Sequence, residues 1–286
     1  MVCGRYSIFL ILNPVVGRRW SVVGIQQNMK KQIPNLFTLL NLIFGCIAVV
    51  MALQTDNINI YTNDEFTSSF NVPEKLAFAS LFIFAAALVD FFDGFVARLC
   101  NTSSEMGKQL DSLADVVSFG VCPSVILYQL LRLSFIKEEN GLDVAFAWLL
   151  PAFILAAASA YRLAKFNLDT TQRYGFKGVP TPAVGLLVAS FPLILHYGSS
   201  FNFINEILFN KWFLYGLIIT LSWLMVSNLP LIALKFSGFS VKDDFPKLIL
   251  MGVAILAAIL LKWLAVPIIF LAYILISLTF KNKTTT

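Results

Sequence analysis

Residues 90–115 read DFFDGFVARLCNTSSEMGKQLDSLAD and carry four carboxylates, Asp90, Asp93, Asp111 and Asp115, within a strongly apolar chain. The first pair is spaced i, i+3 and the second i, i+4, so each pair shares one face of a helix. A polar turn between the pairs would fold the two helices back on each other and let the carboxylates meet. Because charges at membrane depth are costly, the stretch indicates a cation site. Hard oxygen ligands suit Mg²⁺, Mn²⁺ or Ca²⁺.

The composition is typical of a polytopic membrane protein. Of the 286 residues, 58% are hydrophobic and only 13% are charged, which lies well outside the usual mix of soluble domains. The net charge of +5 is modest and gives no indication of nucleic-acid binding. The four cysteines show no paired spacing, which argues against a disulfide framework or a zinc site.

The hydropathy pattern predicts an all-α fold, a polytopic membrane helical bundle with about eight transmembrane spans. One span lies between the Pro180-Thr181-Pro182 turn and Tyr197. The other predicted spans cover residues 34–53, 76–100, 107–133, 144–166, 212–236, 248–261 and 263–280. Only Lys262 separates the last two, so a single re-entrant hairpin is an alternative there.

We expect one membrane catalytic domain over residues 29–286. Its core covers about residues 34–236, and the two additional C-terminal spans lie within 248–280. Residues 1–28 are interpreted as an N-terminal extension, with Met29 as an alternative start. Lysine and arginine are concentrated in alternate loops, and the positive-inside rule then places both termini and the carboxylates on the cytoplasmic side.

The neighbours of the carboxylates suit a phosphate-bearing ligand. The small residues Gly94, Ala97 and Gly107 would let a ligand or a second helix approach closely. Arg98 and Lys108 add positive charge at the same helix ends, so the set suits a pyrophosphate bridged by divalent ions. Two metals about 4 Å apart would stabilise the attacking and leaving oxygens of a displacement at phosphorus. An aspartate could act as base for an incoming hydroxyl.

The pattern D-x2-D-G-x2-A-R-x8-G-x3-D-x3-D, from Asp90 to Asp115, resembles the complete signature of the CDP-alcohol phosphotransferases. The resemblance implies a membrane enzyme that moves a phosphatidyl-type group from a CDP-linked lipid to an alcohol and releases CMP. It also implies two divalent ions, Mg²⁺ or Mn²⁺, held by the first three aspartates, with Asp115 contributing to the metal site and acting as base. The glycines, Ala97 and Arg98 would line the nucleotide and phosphate pocket, and a homodimer is expected.

Further stretches resemble the bacterial phosphatidylserine synthase branch of this family. They are residues 33–41 (IPNLFTLLN), 111–120 (DSLADVVSFG), 162–167 (RLAKFN) and 178–183 (GVPTPA). This resemblance implies CDP-diacylglycerol and L-serine as substrates, phosphatidylserine and CMP as products, and the bacterial inner membrane as the location.

Residue chemistry offers candidates for binding both substrates. Arg162, with Lys165 one turn further on, is best placed to bind the serine carboxylate, although either could be an ordinary basic residue at a cytoplasmic helix end. Asn35, Thr38 and Asn41 share one helix face and either contact the cytidine or ribose or only cap and pack the helix. Thr181 either contacts a substrate or only starts its helix.

Two alternatives stay open from the sequence. Another enzyme of the same family would use glycerol 3-phosphate or inositol phosphate, whose phosphate Arg162, Lys165, Arg173 and Lys177 could bind. A divalent cation transporter would also place carboxylates inside the membrane. Against the transporter, the acids cluster at one end of the spans and no acidic path crosses.

Overall fold

Helices account for nearly all of the chain that the structure describes. The structure, a computed structural model, describes residues 14–54, 60–62, 68–70, 73–100, 105–136, 144–168, 176–197, 202–231 and 245–279. The α-helices in these ranges are α1 Pro14–Leu53, α2 Glu74–Cys100, α3 Glu105–Asp115, α4 Cys122–Ile136, α5 Ile154–Leu168, α6 Thr181–Tyr197, α7 Asn202–Leu208, α8 Lys211–Val226, α9 Phe245–Leu261 and α10 Ala265–Thr279. Two short antiparallel ribbons pair β1 Ile60–Thr62 with β2 Ser68–Phe70, and β3 Phe176–Lys177 with β4 Pro230–Leu231.

The predicted membrane helical bundle is confirmed. Five helical stretches among the described residues are long and apolar enough to cross a membrane: Pro34–Leu53, Glu74–Val96, Glu105–Ile136, Phe146–Leu168 and Leu248–Thr279. Two further helices, α6 and α8, are apolar but shorter. Large apolar side chains such as Leu36, Leu88 and Ile259 remain exposed on the bundle, as expected for helices whose solvent is lipid.

The span predicted over residues 34–53 is confirmed; it is the second half of the longer helix α1, which begins at Pro14 and continues through Pro34. One predicted span boundary is wrong. The span predicted over 212–236 ends at Val226, because Ser227 is extended and Pro230–Leu231 pairs with β3. The interpretation of residues 1–28 as an extension, and the division of the domain, stay predictions.

The last two predicted spans form a helical hairpin, named here the C-terminal hairpin (α9 and α10). A single 3₁₀ turn, Lys262–Leu264, separates the helices. Lys262 has a positive φ of 50°, which lies in the left-handed region and reverses the chain. The two helices pack against each other, and α10 also packs against α6 and β4.

The stretch Glu105–Ile136 is a continuous helical run that lies at the centre of the bundle. A π-helical segment, Val116–Val121, separates α3 from α4, and it packs against α1, α5 and α6. The fully buried large side chains of the core include Phe119, Ile126, Leu130, Leu155 and Ile218. Because π turns are rare and concentrate at functional sites, a π segment directly after Asp115 points to that aspartate.

Glycines permit close helix contact around the π segment. A Cβ added at Gly185 of α6 would lie 2.9 Å from the Phe119 Cβ, and one added at Gly45 of α1 would lie 2.9 Å from the Ser118 Cα. The Ser118 hydroxyl donates a 3.1 Å hydrogen bond to the Asn41 carbonyl. These contacts hold α1 and α6 directly against the segment that follows Asp115.

The β3–β4 ribbon joins the start of α6 to the end of α8. Gly178 adopts a φ of 77°, and its amide donates to the Leu229 carbonyl at 2.9 Å. A Cβ there would lie 2.5 Å from the Met225 carbonyl oxygen, so only glycine fits both the conformation and the space. The turn places Thr181 at the first position of α6.

Candidate active site

Three of the four predicted carboxylates come together at one point. Asp90 and Asp93 belong to α2 and Asp111 belongs to α3, and one carboxylate oxygen from each lies within 4.8 Å of the others. The Oδ1 atom of Asp111 is buried and has no hydrogen-bond partner among the described residues. A crowded set of oxygens with one unsatisfied acceptor fits a hard divalent cation. We name these residues the carboxylate cluster.

Asp115 lies beside the carboxylate cluster and is not one of its three members. It is the buried last residue of α3, and it is close enough to interact electrostatically with Asp90, Asp93 and Asp111. The Asn41 side-chain amide donates to its Oδ1 at 3.4 Å. The structure therefore groups three of the four predicted metal ligands, and the part of Asp115 in metal binding and as base stays a prediction.

Helix α1 contributes a second polar contact to the carboxylates. Thr38 is buried, and its hydroxyl lies 3.0 Å from the Asp93 Oδ2 and 3.2 Å from the Pro34 carbonyl. The carboxylate is the closer acceptor and carries the negative charge, so it is the stronger of the two. Asn35, predicted with Thr38 to bind the CDP-lipid, is half-buried one turn earlier.

Open space lies next to the carboxylate cluster at Gly94. A Cβ added there would meet no atom of the described residues within 4 Å, in contrast to the glycines that pack around the π segment. Gly107, at the start of α3, is half-buried. Other predicted basic and small positions have side chains outside the described part of the structure, namely Ala97, Arg98, Arg173 and Lys177.

A polar link joins α3 to the end of α5. The Lys108 ammonium donates to the Asn167 carbonyl at 3.3 Å, and the Asn167 side-chain amide donates to the Ser112 hydroxyl at 2.8 Å. Lys108 was predicted to bind phosphate, and here it is exposed and directed at α5. Because Ser112 follows Asp111, this link holds the helix that carries one member of the carboxylate cluster.

Arg162 of α5 is a buried cation beside Asp115. Only 8% of its surface is exposed, and its guanidinium lies within electrostatic range of the Asp115 carboxylate. Its Nη1 donates to the Thr181 Oγ1 at 3.2 Å, while its Nε is buried without a hydrogen-bond partner among the described residues. A buried guanidinium with one unpaired donor suits an anionic ligand such as a carboxylate.

Lys165 lies one turn beyond Arg162 but has a different partner. Its ammonium donates to the Asn228 Oδ1 at 2.8 Å, at the end of α8. The structure therefore brings Arg162 and Thr181 together and directs Lys165 toward the loop after α8.

Comparison with known proteins assigns this chain to a family. Residues 31–229 match the family model described as CDP-alcohol phosphatidyltransferase. The chain belongs to the CDP-alcohol phosphatidyltransferase family. Membership favours a transferase over the divalent cation transporter that the carboxylates alone left open, and the resemblance noted in residues 90–115 is confirmed.

Several known proteins are about a third identical to this chain over the aligned residues. A Helicobacter pylori protein is 33% identical over 198 residues, covering 68% of this chain and 70% of its own length. A Bacillus subtilis protein is 33% identical over 172 residues, covering 58% and 81%. A Mycobacterium bovis protein is 31% identical over 251 residues, covering 84% and 75%. Each of the three is named CDP-diacylglycerol–serine O-phosphatidyltransferase.

The sequence predicted Asn41, with Thr38, as a candidate contact to the cytidine or ribose, and the structure shows it bonded to Asp115 instead. Sequence reasoning gave no site role to two other residues that the structure brings to this CDP-alcohol phosphatidyltransferase site. Asn167 lay within a stretch that resembled the family, but nothing indicated Ser112 as its partner. Tyr273 of α10, which lies within electrostatic range of Arg162, gave no signal, because a single tyrosine in an apolar span has no diagnostic spacing.

Proposed function

We propose that the protein transfers a phosphatidyl group from CDP-diacylglycerol to L-serine, forming phosphatidylserine and releasing CMP. The observation that carries the proposal is the name shared by relatives that are 31–33% identical over more than half of this chain. The carboxylate cluster, the neighbouring Asp115 and the buried guanidinium of Arg162 supply the chemistry that this reaction needs.

We assign the metal site to the carboxylate cluster, with Asp115 as a further contributor. Mg²⁺ or Mn²⁺, two ions in all, would neutralise the carboxylates and stabilise the charge that develops on the pyrophosphate. The crowded oxygens and the unsatisfied Oδ1 of Asp111 support this assignment.

Asp115 is the proposed general base. It accepts the proton of the serine hydroxyl, and the serine oxygen forms a bond to the phosphorus that carries diacylglycerol. The bond from that phosphorus to the bridging oxygen of the pyrophosphate breaks, and its electron pair leaves with CMP. The hydrogen bond from Asn41 supports this role, because it fixes the orientation of the Asp115 carboxylate.

Arg162 is the proposed anchor for the serine carboxylate. Its Nη1 is held by Thr181, and its unpaired Nε can donate to a carboxylate oxygen. Because Arg162 also lies near Asp115, a serine bound to it would have its hydroxyl close to the base. Lys165 is a second candidate in the same pocket, although its hydrogen bond to Asn228 directs it away.

The CDP-lipid is proposed to enter over the open surface at Gly94. Arg98 and Lys108 would bind its phosphates, while Ala97 and Gly107 would leave room for the nucleotide. Asn35 would contact the cytidine or ribose. Thr38 would also contact the CDP-lipid, and its hydrogen bond to Asp93 supports a second role, which is to orient this member of the carboxylate cluster.

The proposed setting is the cytoplasmic membrane of a bacterium, with both termini and the active site on the cytoplasmic side. The distribution of lysine and arginine supports this orientation. We also infer a single catalytic membrane domain that acts as a homodimer, as the family resemblance suggests.

A direct assay tests the proposed reaction. Purified protein is incubated with CDP-diacylglycerol in mixed micelles, with Mn²⁺ or Mg²⁺, and with labelled serine, glycerol 3-phosphate or inositol phosphate in parallel. We expect CMP release and lipid labelling with serine only. Transfer to another alcohol alone would reject serine as acceptor and leave the family assignment intact.

A further inference from the structure

The C-terminal hairpin lies beyond residues 31–229, which match the family model, yet it reaches the proposed acceptor pocket. Helix α10 packs against α6, the helix that begins with Thr181. Its residues Leu271 and Leu275 are 59% and 64% exposed, whereas Tyr273 between them is only 7% exposed. Tyr273 therefore lies on the face of α10 that is turned into the protein.

On this inward face of α10, Tyr273 is within electrostatic range of the Arg162 guanidinium. Arg162 is thus surrounded by polar groups from three other helices, namely Asp115 of α3, Thr181 of α6 and Tyr273 of α10. A buried tyrosine hydroxyl ordinarily has a polar partner, and a guanidinium at membrane depth is stabilised by such groups.

The chemistry of a tyrosine hydroxyl suits a positioning role. The hydroxyl oxygen can accept a hydrogen bond from a guanidinium N–H. With Thr181 holding Nη1, a second contact would fix the plane of the guanidinium. Its Nε, which has no partner among the described residues, would then keep a constant direction toward the acceptor.

We propose that Tyr273 of the C-terminal hairpin is a positioning residue. It holds the guanidinium of Arg162 in place, and Arg162 in turn binds the acceptor. The proposal rests on the proposed function of Arg162 as the anchor of the acceptor carboxylate. It makes the hairpin a part of the acceptor pocket, while the carboxylate cluster and the CDP-lipid surface belong to the matched core.

Tyr273→Phe tests the proposal, because it removes only the hydroxyl from a buried ring. The matched control is Tyr215→Phe, which removes a hydroxyl that donates to the Trp148 carbonyl at 2.6 Å. For wild type and both variants, the KM for serine and the KM for CDP-diacylglycerol are measured separately. We expect Tyr273→Phe to raise the KM for serine by about tenfold, typical of a lost hydrogen bond to a charged group. The KM for CDP-diacylglycerol and the values for Tyr215→Phe should not change.

A double-mutant cycle with Arg162→Lys supplies a second readout. If Tyr273 acts through Arg162, Tyr273→Phe should have a much smaller effect on the serine KM in the Arg162→Lys background. Equal effects in both backgrounds, or a serine KM in Tyr273→Phe that matches Tyr215→Phe, would overturn the proposal. An equal rise in both KM values would also overturn it, since that outcome indicates a general structural role.

If serine is not the acceptor, the kinetic results differ from those above. In that case the wild-type protein transfers no phosphatidyl group to serine and uses another alcohol. The same variants are then measured with that alcohol, and a selective rise in its KM in Tyr273→Phe supports the positioning role. An unchanged KM for that alcohol rejects Tyr273 as well as serine.

Discussion

The Thr38 hydroxyl of α1 lies 3.0 Å from the Asp93 Oδ2 of α2 and donates a hydrogen bond to it inside the bundle. This contact joins a neutral side chain to a member of the carboxylate cluster. Groups that orient metal ligands typically contribute 10–100-fold to metal affinity or activity. We therefore expect Thr38→Val to lower activity by about that factor and to raise the Mg²⁺ or Mn²⁺ concentration needed for half-maximal rate. A metal titration of the purified variant measures both.

The control for Thr38 is Thr279→Val near the end of α10. Among the described residues, its hydroxyl donates to the Leu275 carbonyl of its own helix, at 2.8 Å. This variant should keep the wild-type metal dependence. If Thr38→Val instead keeps the metal requirement of wild type and raises only the KM for CDP-diacylglycerol, Thr38 binds the nucleotide and does not orient Asp93.

Asp111 and Asp115 should respond differently to added metal. Asp111→Asn removes a charge from the carboxylate cluster, so activity should fall by more than about 100-fold and recover partly at high Mn²⁺. Asp115→Asn removes the proposed base, so turnover should stop at every metal concentration while the protein remains folded. Metal titrations of both variants, with circular dichroism of each, make the comparison. Recovery of Asp115→Asn by metal would remove Asp115 from the base role and leave it as a contributor to the metal site only.

Gly94→Ala should impair substrate binding without disturbing the fold. The added methyl group meets no atom within 4 Å in the part of the chain that the structure describes, and alanine favours a helix over glycine by about 1 kcal/mol. Thermal stability should therefore stay equal or rise slightly, while the KM for CDP-diacylglycerol increases. Gly216→Ala is the matched control, because its added methyl group also meets no described residue within 4 Å. Unchanged kinetics in Gly94→Ala would show that the nucleotide does not approach this surface.

Gly185→Ala should do the opposite and destabilise the bundle. Its Cβ would lie 2.9 Å from the Phe119 Cβ and 3.0 Å from the Phe119 Cα, so α6 and the π segment would have to separate. Overpacking of this kind costs about 1–3 kcal/mol, which a lower unfolding temperature in detergent would report. Gly252→Ala, where the added methyl group meets no described residue within 4 Å, should unfold at the wild-type temperature or slightly above it.

The helical class and the meeting of Asp90 and Asp93 with Asp111 could be predicted from the sequence, because both depend on local spacing. Intramembrane charge is rare, so Asp90, Asp93 and Asp111 gave a strong signal, and helix periodicity alone placed them on facing sides. The end of α8 at Val226 could not be predicted, because it follows from pairing with β3 across a long sequence separation.

Contacts between distant helices account for the rest of what the sequence did not indicate. The bond from Asn41 to Asp115 joins α1 to α3, and the approach of Tyr273 to Arg162 joins α10 to α5. Neither depends on spacing within one helix. The separation of Asp115 from the other three carboxylates also depends on how α1 and α5 pack around it.

The π segment Val116–Val121 rotates the side chains of α4 about the helix axis relative to those of α3. Each residue of an α-helix turns the chain by about 100°, so the wider π turn offsets the faces of α4 from those of α3. Before the π segment, one face of α3 presents Asp111 and Asp115 to the other carboxylates. After it, α4 places Ile126 and Leu130 in the apolar interior. A single continuous helix can thereby contribute aspartates to an ionic centre and apolar side chains to the core, because the spacing of the aspartates does not fix which residues of α4 face the core.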